Sequence, residues 1–308
     1  RYSLNQINFK ADLLGVLHAG ISRKIRDDLQ IRARFKIYSG AFNLQSRQNK
    51  GEFYTEIGIL NQYAHVLAGV NASFKTSGVY LPAGTQVNSS YFMSKLLLGG
   101  NLGVGFDAGF TYQYQKQWTL SGSILDFGFI NNNQNNKVYK AQGNFRFEGI
   151  EPNFDPNATI DYWEDLKDEF EKDLNYTKSD ESYISWRSTK LNAQIKYEFG
   201  EDRFDDCLDT EIDSDYFNAL GAHLHTIFRP VAPQIAATVF YERKFTRGFR
   251  AKLTYTVDSF SFTNVGLGLS AKIGVFNIYG LADNLLGYHN LAKTNSASFQ
   301  IGMNIIVR

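Results

Sequence analysis

Cysteine is almost missing from this chain. Cys207 is the single one in 308 residues, which excludes a disulfide scaffold and any multi-cysteine metal centre. An excess of one charge is missing as well: 32 Lys and Arg offset 31 Asp and Glu, and a formal net charge of +1 gives no reason to expect a nucleic-acid partner. No run of eighteen apolar residues occurs, so the chain is not a helical membrane protein. Catalytic signatures are lacking too. There is no Gly-x-Ser-x-Gly elbow, phosphate loop, dinucleotide fingerprint or His-Glu-x-x-His, so the chain reads as a non-enzyme without cofactor or metal. With only 5 Pro against 26 Gly, 25 Phe and 18 Tyr, the composition fits an all-β protein.

What the chain does have is alternation. Over 96–114 the even positions (Leu96, Leu98, Leu102, Val104, Phe106, Phe110) are apolar, while the odd ones (Asn101, Gly103, Asp107, Gln113) are small or polar. Successive strand side chains point to opposite faces, so one face is apolar throughout. At ~3.3 Å per residue such a strand is about 60 Å long, against ~17–20 Å for a usual one. The pattern recurs at 29–41, 189–199, 249–258 and 297–307. The apolar faces end in Tyr112, Tyr114, Trp118, Tyr197 and Phe199, as aromatic girdles do. Short polar turns at 26–28, 115–117, 244–248 and near Gly274 contrast with long loops at 43–62, 131–183 and 283–295.

Together these features predict an all-β fold, an antiparallel transmembrane outer-membrane β-barrel whose sheet closes because lipid offers backbone groups no partners. Spanning strands are expected near 7–23, 29–42, 95–114, 118–130, 185–199, 216–229, 234–243, 249–261, 263–273, 275–283 and 296–307. Eleven is odd, whereas bacterial barrels are even. Either the alternation at 64–74 adds a strand or residues precede Arg1, and about 12–14 strands are expected by even-number closure. The whole of 1–308 reads as one barrel domain with an extracellular insertion at 131–183. That insertion carries a short helix near 159–174, where Ile160, Trp163, Leu166, Phe170 and Leu174 recur at helical spacing on an acidic background. Trp163, Leu166 and Phe170 either dock a partner or fold the helix over its own barrel mouth.

The polar face supplies the candidate site. Arg32, Arg34, Lys36, Lys190, Lys196, Arg250, Lys252 and Lys272 are expected to face the lumen, with the acids Asp107, Glu198, Glu242 and Asp258. They form either an anion-attracting pore or a lumen filled and cross-linked by ion pairs. His223 and His225 share that face but lack the further ligands a metal needs. The acidic run from Glu201 to Asp215 lacks the glycine and terminal Glu of a calcium loop and reads as a solvated turn.

Several segments carry a resemblance. Asp12-Leu-Leu-Gly-Val-Leu-His18, Ala33-Arg-Phe-Lys-Ile-Tyr-Ser39, Lys95-Leu-Leu-Leu-Gly-Gly-Asn-Leu-Gly-Val-Gly105, Ser123-Ile-Leu-Asp-Phe-Gly128 and Phe147-Glu-Gly-Ile150 resemble an uncharacterised outer-membrane barrel family of Bacteroidota, especially flavobacteria. So do Tyr255-Thr-Val-Asp258 and Ala282-Asp-Asn-Leu-Leu286. More remotely the chain is similar to the PorP/SprF barrels associated with type IX secretion and to FadL-type transporters. The resemblance implies a place and a fold and no catalytic residues. The leading expectation is a structural or accessory subunit of a surface or secretion complex in the outer membrane, with lipids, LPS and protein subunits as partners. The alternative is a porin-like or FadL-like passive pore for small anionic or hydrophobic solutes, and a third reading is an outer-membrane hydrolase.

Overall fold

The computed structural model describes the chain except for residues 59–61, 80–88, 151–161, 202–215, 247, 291–296 and 306–308. Eleven strands follow one another around a wall: β2 (Phe9–Arg26), β3 (Leu29–Ser46), β6 (Asn101–Gln115), β7 (Trp118–Asn132), β11 (Lys190–Glu201), β12 (Tyr216–Phe228), β13 (Pro233–Thr246), β14 (Phe249–Asp258), β15 (Asn264–Ile273), β16 (Phe276–Asp283) and β17 (Ser298–Ile305). Each is antiparallel to the next. The first two are 18 residues long, which at ~3.3 Å per residue is about 60 Å.

The outward face shows what kind of wall this is. Leu17, Ile21, Phe35, Phe106, Ile195, Val239, Leu253, Phe299 and Ile301 are all exposed. A soluble monomer tolerates a contiguous apolar patch of only ~300–600 Å². An apolar surface running around eleven strands needs acyl chains to cover it. The fold is therefore that of an outer-membrane β-barrel. At the short-turn end the outward rings gather. Trp118 and Tyr197 lie 4.8 Å apart between centroids, Tyr197 and Phe199 5.9 Å, and Tyr112 and Tyr114 6.4 Å.

Six further strands build on the long-loop end: β1 (Tyr2–Ser3), β4 (Lys50–Ile57), β5 (Tyr63–Ser77), β8 (Asn136–Phe147), β9 (Thr177–Ser179) and β10 (Tyr183–Trp186). The alternation at 64–74 thus does form a strand, β5, but it adds to the outer layer and not to the wall. It pairs with β3 only at Asn43–Ser46, while β6 pairs with β3 from Leu29 to Gly40. Two strands share one side of β3, so the chain has to leave the sheet between them. It does so through α1 (Ser89–Ser94) and a kinked turn at Lys95–Gly99, with Leu98 in the left-handed region at φ 67°. The apolar positions Leu96 and Leu98 are consequently not strand, and β6 begins at Asn101. Ser39 holds the turn in place, its hydroxyl donating to the Lys95 carbonyl (2.5 Å) and accepting from the Gly100 amide (3.2 Å).

The expected helix is α2 (Tyr162–Asp173), with Glu164 and Asp165 in its first turn, where the helix dipole favours acids. The C-terminal part of its stripe is covered: Leu166, Phe170 and the following Leu174 pack on Val70 of β5 and Phe145 of β8, and the Phe145 and Phe170 rings meet edge to face at 5.0 Å. This small apolar core lies in the outer layer. Connections at the long-loop end are uneven, since β12–β13 and β14–β15 are joined by only 229–232 and 259–263.

The wall has two ends. β2 and β17 are bonded on one side only, to β3 and β16, and among the described residues no register joins one to the other. The described residues therefore form eleven wall strands, below the 12–14 expected for a closed barrel.

Candidate functional site: the inner face of the wall

In an antiparallel pair, opposed residues share a face. Arg34 opposes Asp107, and Lys36 opposes His18 and Gly105. Following the register onward puts Asn192, His225, Ala236 and Asp258 on the same face, then Glu242 with Lys252, and Lys272 with Asn277. By register the twelve charges expected from the alternation share one continuous face of the wall, termed the inner face.

The face is not uniform. On the β3–β6–β7 side a backbone irregularity concentrates charge. Asp107 stands opposite two residues of β7, Leu125 and Asp126, in a bulge between the pairs Phe106–Phe127 and Ala108–Ile124. A bulge puts neighbouring side chains on one face and bends the strand locally. Asp126 takes φ 56°, and its amide donates to Oδ1 of Asp107 (2.7 Å). Its carboxylate then reaches Nζ of Lys36 (2.5 Å) and Nζ of Lys190 (3.1 Å). Lys36 also bonds Asp107 at 2.8 Å, and Arg34 stands 3.7 Å from Asp107. Lys36 and Asp107 are only 7% and 5% exposed, so neither charge would be tolerable without the other.

Inner aromatic rings need space, and glycine provides it. Tyr38 lies over Gly105, Phe240 over Gly221 and Tyr279 over Gly302, and a Cβ at any of the three would collide with the ring.

Toward the long-loop end a second network continues from the first. Arg187 sits over the Tyr38 ring, 5.4 Å from its centroid, and donates to Asp12 (2.7 Å). Asp12 accepts from Asn43 (2.5 Å) and pairs with Lys10 (3.3 Å), while the Tyr183 hydroxyl donates to Asn43 (2.7 Å). The Asn-rich stretch at 131–136 is partly packed, with Asn131 and Asn133 exposed. Asn132 and Asn136 are buried, and the Asn133 and Gln134 amides both donate to the Asn101 side chain (2.9 and 3.0 Å).

Below the first cluster the face encloses space. A cavity of about 610 Å³ is bounded by Arg32, Arg34, Asp107, His18 and His223, with Ser and Thr hydroxyls between them. Nearer the short turns a second cavity of about 430 Å³ is lined by Lys196, Glu198, Glu242 and Arg250. Pairing there is looser. Lys196 bonds Glu198 at 3.0 Å, but Glu242 lies 3.8 Å from Arg250 and 4.0 Å from Lys252. The His223 and His225 rings are 6.4 Å apart, and Nδ1 of His225 is engaged by Asn192 at 2.8 Å. Among the described residues no group of three or more His, Cys, Asp or Glu is placed to hold a metal.

Of the three helix residues considered for docking, Leu166 and Phe170 pack inward while Trp163 is 74% exposed. Cys207 and the acidic run beyond Glu201 lie outside the described residues. Sequence reasoning left Lys10, Asp12, Asp126 and Arg187 out of the site. Asp126 had a visible signal, because the alternation stumbles at Leu125-Asp126, where two inward residues are adjacent. Arg187 had none, since it lies in the short connection between β10 and β11.

An apolar exterior, a polar and charged interior and antiparallel strands long enough to span a bilayer define an outer-membrane-type β-barrel protein. Within that class the chain belongs to DUF5723, a family of unknown function whose model matches residues 1–283. No curated protein matches it in sequence. Among solved structures it is similar to the Ralstonia pickettii toluene transporter TbuX, at 10% identity and a TM-score of 0.41, over 90% of this chain. It spans 64% of that protein, slightly under two thirds of its length. It is also similar to the CymD monoaromatic hydrocarbon channel, at 9% identity and a TM-score of 0.32, over 91% of this chain and 84% of the other.

Proposed function

We propose that this chain is an outer-membrane barrel acting as a passive, non-enzymatic channel for small hydrophilic solutes, narrowed by the Lys36–Asp107–Asp126–Lys190 cluster. One observation carries the reading: the inner face encloses cavities of about 610 and 430 Å³ lined by charged and hydroxyl side chains. Charges on the wall of a low-dielectric passage focus potential and favour ions and polar molecules over hydrocarbons. The apolar outward face supports placement in a membrane, and strands rather than helices support the outer one. The measurement is planar-bilayer conductance of the purified, refolded chain. Sustained current is expected, and its absence from protein with intact strand content would overturn the channel.

The buried cluster favours a second reading, an accessory subunit whose interior is cross-linked rather than open. Native purification decides for it if a defined stoichiometric polypeptide partner accompanies a non-conducting barrel.

A further inference from the structure

The cavity of about 610 Å³ has an unbalanced charge, and we propose that it is a binding site for small oxyanions, with Arg32 and Arg34 as its recognition residues. This names the solute class of the channel reading above and rests on it for its physiological sense.

Asp107 is the sole carboxylate among the described lining residues. Its Oδ1 is already taken by Lys36 (2.8 Å) and by the Asp126 amide (2.7 Å), which leaves Arg34 a long contact of 3.7 Å to Oδ2. Asp126 is likewise shared between Lys36 and Lys190. Within this cluster Arg34, Lys36 and Lys190 face two carboxylates, so one positive charge is left over. Arg32 adds another, because its guanidinium donates to the neutral Gln30 (3.0 Å) and has no carboxylate partner among the described residues.

Geometry suits the same ligand. Arg32 and Arg34 are alternate residues of β3, so their Cα atoms lie about 6.6 Å apart on one face. Two guanidinium forks at that spacing can grip the oxygens of one carboxylate or phosphate, the planar and bidentate recognition at which arginine excels. Hydroxyls of Ser22, Ser121, Ser123 and Thr111 and the rings of His18 and His223 add groups that can donate a hydrogen bond, beside the apolar Ile21, Phe110 and Leu125.

The test is isothermal titration of the detergent-solubilised full chain with inorganic phosphate and with citrate, alongside bilayer recordings with the same probes. Wild-type protein should bind both, with affinity falling as salt is raised, and citrate should block chloride current. The double variant R32Q/R34Q should weaken binding and block at least tenfold, while R32K/R34K should retain part of both. Strand content by circular dichroism checks that each variant folds. If the glutamine variant does not fold, the lysine pair and the salt dependence of wild-type binding decide the matter. Binding that is absent in wild type, or unchanged in R32Q/R34Q, overturns the site. Binding that depends on the two arginines in a protein that passes no current supports the site and overturns the channel; current without oxyanion binding does the reverse.

Discussion

The early side of the wall, β2, β3, β6 and β7, and the later run from β12 to β17 use the same alternating pattern and reach different interiors. Along the later run the register advances pair by pair, with one shift, between Lys244 and Thr246. There Glu242 stands at long range from Arg250, at 3.8 Å, and from Lys252, at 4.0 Å. On the early side the register shifts four times, at Leu13/Leu14, Lys24/Arg26, Phe106/Ala108 and Gln113/Gln115. There Lys36 and Asp107 are buried and paired at 2.8 Å. A uniform ladder spaces charges evenly and leaves them wet. One inserted residue crowds two inward side chains together and lets a third charge be satisfied.

This contrast can be broken at four points. Asp126→Ala removes the carboxylate that Lys36 and Lys190 share and leaves buried Lys36 with Asp107 alone; losing two charge-assisted bonds, one of them half-exposed, costs about 2–5 kcal/mol, and urea unfolding in micelles should show a loss of that size. Leu174→Ala empties a fully buried position in the apolar core under α2, for about 2–4 kcal/mol. A smaller loss there than at Asp126, measured the same way, would rank charge on the early side above packing in the outer layer. On the later side Gly221→Val drives a side chain into the Phe240 ring, costing about 1–3 kcal/mol as overpacking does. Smallest is Glu242→Gln, below about 1 kcal/mol, because its partners are partly exposed and distant, at 3.8 and 4.0 Å. If Glu242→Gln destabilises as much as Asp126→Ala, the two sides do not differ in the way described.

The wall was legible because its period is two and its outward face is apolar over the full strand length. Strand after strand, from 29 to 305, lies within a few residues of where alternation puts it. The twelve inner charges followed from that same parity. What alternation could not reveal was any place where the chain departs from it. Leu96 and Leu98 continue the pattern but belong to a turn, because β5 already occupies the upper side of β3. The 64–74 alternation is real, but nothing local says whether a strand spans or extends. Asp12, Asn43, Tyr183 and Arg187 lie more than a hundred residues apart at the extremes, and only the register of β2 on β3 and of β10 on β7 brings them together.

Each step around the wall from β2 to β17 reverses chain direction, and there are ten such steps, so the first and last wall strands run the same way. Zipping them directly together would create the one parallel junction in an otherwise alternating cylinder. Two copies sitting the same way up in a bilayer fare no better, since every pairing of their free margins is again co-directional. Only a ribbon travelling against both margins could continue the up-and-down rhythm across the gap.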